Sequence, residues 1–97
     1  MRHKHKLVSN VSKSMIEALF TVQEFQEYLD FERNSIPTFL CQFSRNERLI
    51  FFCHYRLGWG YRRMRNKTGF PRRFFEAAIK KLREHDKRIF PERYLTA

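Results

Sequence analysis

An all-α fold is predicted for this chain, a small helical bundle of about five helices containing a helix-turn-helix. Three observations predict it. Breakers are scarce, with three Gly and three Pro in 97 residues, too few for a many-turned β fold. Apolar residues recur at helical spacing in several stretches. Helix-start signatures of the Ser-x-x-Glu type stand at Ser14/Glu17 and Ser44/Glu47, where each side chain satisfies an orphan backbone N–H. The length suits one domain with a modest core. A 42% hydrophobic composition with 11 Phe supplies enough apolar material to fold.

Charge divides the chain. Residues 1–13 hold four basic and no acidic residues, residues 14–34 five acidic and one basic, and residues 35–97 fifteen basic and five acidic. The net charge of +10 points to a polyanion, nucleic acid first and an anionic membrane surface second. No apolar run has the roughly 18–20 residues of a membrane span, so no membrane partner is expected. Met1–Lys13 has no long apolar core and is not a secretory signal. Cys41 and Cys53 sit among apolar neighbours in sequence and are expected as reduced, buried thiols of a cytoplasmic protein.

The predicted organisation is a basic flexible arm over 1–13 and one helical domain over 14–97. In the arm, His3 and His5 lack the further ligands that zinc needs. From Ser14, the residues Met15, Ala18, Leu19, Val22, Phe25 and Leu29 make one apolar stripe on a single acidic support helix over 14–33. Ser35 should cap a second, short helix with Pro37 in its first turn, burying Phe39, Leu40 and Phe43. A helix from Arg45 to Leu57 should end at Gly58 in a left-handed cap. It is apolar on two sides, Ile50/Cys53/Leu57 and Phe51/Phe52/Tyr55, and should be sandwiched between other elements. His54 is expected to be a hydrogen-bonded structural residue and Trp59 a core residue.

A short cationic helix through Lys67 follows, with Tyr61 and Met64 as its buried positions. Thr68-Gly69-Phe70-Pro71 is a turn in which Gly69 supplies a positive φ. The last helix, Pro71 to about His85, carries Phe75, Ala78, Ile79 and Leu82 inward. Beyond it, Ile89-Phe90-Pro91 and Tyr94-Leu95 could fold back as a latch.

The stretch 44–85 resembles region four of bacterial sigma factors and the phage and mobile-element regulators built on that module. The residues that carry the likeness are Glu47-Arg48, Ile50, Cys53, Tyr55, Gly58, Tyr61, Met64, Gly69, Phe75 and Ile79, in ungapped register. It departs from the family at Arg63-Met64-Arg65, where Arg65 takes a position usually kept small and must snorkel outward or open the angle between the two helices, and at the bulky Phe74-Phe75 pair. The resemblance implies a helix-turn-helix whose second helix enters the major groove. Arg72, Arg73 and Glu76 would then face base edges, with Arg forking onto guanine and Glu accepting from cytosine N4. Arg62, Arg63, Arg65, Lys67 and Lys80 would hold phosphates, which set affinity more than sequence choice.

Double-stranded DNA, RNA polymerase and a second copy of the chain are the candidate partners. A sequence-specific transcription regulator is the leading expectation. A protein-interaction module that binds polymerase or another regulator, and a non-specific nucleic-acid binder, stay open beside it. Catalysis, metal and cofactor are not expected, since no Gly-rich phosphate loop, Cys/His metal spacing or nucleophile–base motif occurs.

Overall fold

The computed structural model describes residues 11–89, with side chains through residue 85. The His3/His5 pair, residues 1–10 of the arm and the Phe90–Ala97 tail lie outside the described residues, and with them all of the latch but Ile89, which ends the last helix. Among the described residues the regular elements are all helical: α1 (Lys13–Leu19), α2 (Val22–Ser35), α3 (Arg45–Phe51), α4 (Tyr61–Thr68) and α5 (Arg72–Ile89). A 3₁₀ turn (Phe39–Gln42) precedes α3, and a π-helical turn (Phe52–Arg56) continues it. No helix is long and apolar enough to cross a membrane among these residues. The chain divides into two compact units, residues 1–49 and 50–97.

In the first unit, the expected single acidic helix is two helices. Thr21 interrupts it. Its Oγ1 accepts from the Glu24 amide at 3.1 Å, and Glu24 Oε1 accepts from the Thr21 amide at 3.0 Å. This capping box lies inside the apolar stripe and restarts the helix there. Ser12, not Ser14, caps α1, accepting from the Met15 amide.

The restart re-phases the apolar faces. Met15 and Val22 are exposed, while Ile16 and Tyr28 are buried. Phe25 and Leu29 are half-buried. Residues 11–13, part of the expected arm for its basic, polar, aperiodic sequence, carry structure here. Val11 is buried, and its amide donates to Asn46 Oδ1 at 3.1 Å.

Ser35 does not cap the next helix. It is the buried last residue of α2, and its hydroxyl donates to the Phe31 carbonyl at 2.7 Å. Thr38 caps the 3₁₀ turn instead. Leu40 and Phe43 are buried, and Phe39 is half-buried. Cys41 is exposed on this turn, contrary to expectation, whereas Cys53 is buried; both are free thiols.

The Ser44/Glu47 capping box forms as read from the sequence, with both reciprocal hydrogen bonds present. From α3, Arg48 donates to both oxygens of Glu32 on α2, at 2.8 and 3.0 Å, and also to the Phe43 carbonyl. The hydrogen bond with Glu32 raises the Arg48 pKa above its ordinary value. A raised pKa adds stability that is present below the unfolded value and lost only as pH climbs through the folded one, so Arg48 stays charged across the physiological range. Both side chains are mostly shielded from water, which lifts the pair above the usual surface salt bridge. Arg48→Met should cost about 2 kcal/mol by thermal denaturation. A change within about 0.5 kcal/mol would show the pair to be an ordinary surface contact.

The five residues from Leu49, the last of the first unit, to Cys53 in the second are all buried. The helix is buried on every side there, as its two apolar faces suggest. Its end departs from the α period. The Leu57 amide donates to the Phe52 carbonyl, five residues back, at 3.3 Å. This wide turn ends at Gly58, φ 77°. The Trp59 amide then returns to the Cys53 carbonyl at 2.9 Å. His54 Nδ1 lies 2.7 Å from the Trp59 carbonyl, which makes it the hydrogen-bonded structural residue expected. Trp59 is a core residue.

Helices α4 and α5 pack on each other, and Met64 of α4 and Phe75, Ala78, Ile79 and Leu82 of α5 are all buried. That α5 stripe matches the periodic reading residue for residue.

Candidate nucleic-acid interface

The candidate surface belongs to the second unit and is carried by α4, α5 and the turn between them. Gly60 opens α4 without a side-chain cap. Gly69 closes it at φ 81°, its amide donating to the Arg65 carbonyl at 2.8 Å. A Cβ at Gly69 would meet nothing within 4 Å. Glycine is therefore favoured there by the left-handed backbone and not by space.

Thr68 ties the turn together. Its Oγ1 donates to the Met64 carbonyl at 2.6 Å and accepts from the Phe70 amide at 3.1 Å. Phe70 is buried, with its ring edge-on to Phe74 at 5.3 Å. The Pro71 carbonyl accepts from the Phe74 and Phe75 amides at 3.1 Å and starts α5.

This frame leaves a cationic exterior. Arg62, Arg63, Arg65 and Lys67 on α4 are exposed, as are Arg72, Arg73, Lys80 and Arg83 on α5. From Arg56 to Lys81 there are nine basic residues and one acidic residue, Glu76. Arg62, Lys67, Arg73 and Lys80 make no ion pair among the described residues. At about 100° per residue, Arg73, Glu76, Ala77 and Lys80 share the arc of α5 opposite its buried stripe. Arg72 sits at the border of that stripe.

The expected site residues therefore share one unit and an exposed surface, but Arg72 and Arg73 are not equivalent. Arg72 Nε lies 3.2 Å from Glu76 Oε2. The Arg72 guanidinium also stacks on the Tyr61 ring, 4.9 Å from its centroid. Arg65, expected to snorkel outward, is exposed and lies over the same ring at 5.7 Å. Arg63 covers the Trp59 ring at 4.9 Å. Such stacks hold an arginine through the ring quadrupole and the stem's apolar contact.

The sequence predicts a buried position for Tyr61. It is half-buried, with its ring 5.9 Å from Phe75 and its remaining surface given to two guanidiniums. The signal for half of this was present, because Tyr61/Arg65 and Trp59/Arg63 are both four apart. Among the described residues no group of His, Cys, Asp and Glu could hold a metal ion. No protein family model, curated protein or solved structure matches the chain.

Proposed function

We propose that this protein is a sequence-specific, double-stranded DNA-binding transcription regulator acting in the cytoplasm, with α4 and α5 as a helix-turn-helix of the sigma-region-four type. The observation that carries the proposal is the exposed cationic exterior of these two helices, built on a buried apolar seam and interrupted up to Lys81 by one carboxylate, Glu76. Long-range attraction to phosphates would bring the duplex to this surface. The outward arc of α5 would then face base edges in the major groove, with Arg73 suited to guanine and Glu76 to cytosine. Arg62, Arg63, Arg65, Lys67 and Lys80 would track the backbone. The same resemblance makes RNA polymerase a candidate partner.

Selection from random duplex DNA, run at two salt concentrations with the full chain, tests the proposal. The expected result is enrichment of one motif. With about six phosphates engaged, the slope of log affinity against log salt should be near −5. Recovery of unrelated sequences with the same steep slope would mark a non-specific nucleic-acid binder. No retained DNA at low salt would point to a protein-interaction module instead.

A further inference from the structure

Tyr61 lies at the start of α4, and the two guanidiniums on its ring come from opposite sides of the Thr68–Pro71 turn. Two like charges gathered on one ring repel each other unless an anion lies between or beside them. Glu76 meets one of them, pairing Arg72 at 3.2 Å with both side chains largely in water. A surface ion pair of this kind is weak because water screens it, so a phosphate can displace it. Arg65 makes no ion pair among the described residues.

We infer that Tyr61 is a positioning residue that gathers Arg65 and Arg72 into a receptor for backbone phosphate, which Glu76 partly occupies until nucleic acid arrives. The inference rests on the proposed DNA binding and reassigns Arg72. Tyr61 draws Arg72 back towards α4, so it serves the backbone, and base reading on this turn of α5 falls to Arg73. A guanidinium held over a ring keeps N–H donors for a phosphate and loses less freedom on binding than an unheld one.

Binding of a mixed-sequence DNA duplex to the full chain, measured over a salt series, tests the receptor. Tyr61→Leu should weaken binding about tenfold and make the salt slope shallower by about one to two. Tyr61→Phe, which keeps the ring, should bind like wild type. Glu76→Gln should tighten binding to mixed sequence several-fold.

Tyr61 also touches Phe75, so a double-mutant cycle separates positioning from folding. In an Arg65→Gln, Arg72→Gln background, Tyr61→Leu should cause no further loss. A full additional loss there would overturn the receptor, as would a Tyr61→Phe variant as weak as Tyr61→Leu. If the wild-type chain binds no duplex at all, the DNA-binding proposal falls. Titration with pyrophosphate, followed by the Arg65 and Arg72 Nε–H signals, then decides the receptor separately. Joint shifts would support it, and unmoved signals would overturn it.

Discussion

Met64→Ala is expected to lower the stability of the second unit by about 2–5 kcal/mol, with a fall in melting temperature of at least about 10 °C. The size of the effect follows from how little else anchors α4. Met64 is 0% exposed, while Arg62, Arg63, Arg65, Asn66 and Lys67 all face solvent and Tyr61 and Thr68 are half-buried. An eight-residue helix does not persist in water by its own propensity. Its place against α5 therefore depends heavily on one thioether side chain. Met64→Leu conserves most of the volume and should cost less than about 1.5 kcal/mol. Thermal denaturation followed by circular dichroism measures both. An alanine variant that melts with the wild type would show that the turn contacts of Thr68 and Phe70 hold α4 without Met64.

Arg73→Ala should cost about ten- to a hundredfold in discrimination between the selected duplex and a scrambled one, the worth of a bidentate arginine–guanine contact. The double variant Arg72→Ala, Arg73→Ala should show the same loss of discrimination and, because Arg72 serves the backbone, a further weakening that is alike for every duplex. Its fold should persist, because both side chains are exposed and substitutions at such positions usually change stability by no more than about 0.5 kcal/mol. Lys80→Ala, by contrast, should weaken binding to every duplex alike and reduce the salt slope by about one. Competition binding with the two duplexes, beside circular dichroism of each variant, distinguishes these outcomes. Undiminished preference in the double variant would remove α5 as the reading element.

Much of the fold was legible because local signals agreed with tertiary demand. The Ser44/Glu47 box, the left-handed glycines at 58 and 69 and the inner stripe of α5 each combine a backbone requirement with the right residue. The errors came where two signals competed. An unbroken apolar stripe crosses Thr21, but the Thr21/Glu24 box is a helix start in its own right, and the local hydrogen bonds prevailed. Ser35 before Ile36-Pro37 looks like a cap, yet its hydroxyl turned back to the preceding helical turn. The apolar neighbours of Cys41 in sequence predict burial, but a 3₁₀ turn exposes one of its three sides.

At the candidate surface, exposure was legible and pairing was not. Every cation named from the sequence faces solvent, since α4 and α5 keep their apolar and polar faces in phase. The hold of Tyr61 on Arg72 depends on the approach of two helices, which no spacing within either helix encodes. The Arg72–Glu76 pair is four apart and could have been anticipated, at the cost of treating both residues as equally available to bases.

The π turn at Phe52–Arg56 has a consequence for changes of chain length. Inside a regular helix, losing one residue rotates everything beyond it by about 100° and turns an apolar stripe away from its partner. A π turn already carries one residue more than an α-helix needs over the same rise. The chain between Phe51 and Gly58 thus has a residue to spare, and a deletion there can be absorbed by a return to ordinary i to i−4 bonding. The same deletion in α4 or the first half of α5 has no such reserve. Tolerance to shortening should therefore be concentrated in this one turn of the second unit, although it opens on two buried residues, Phe52 and Cys53.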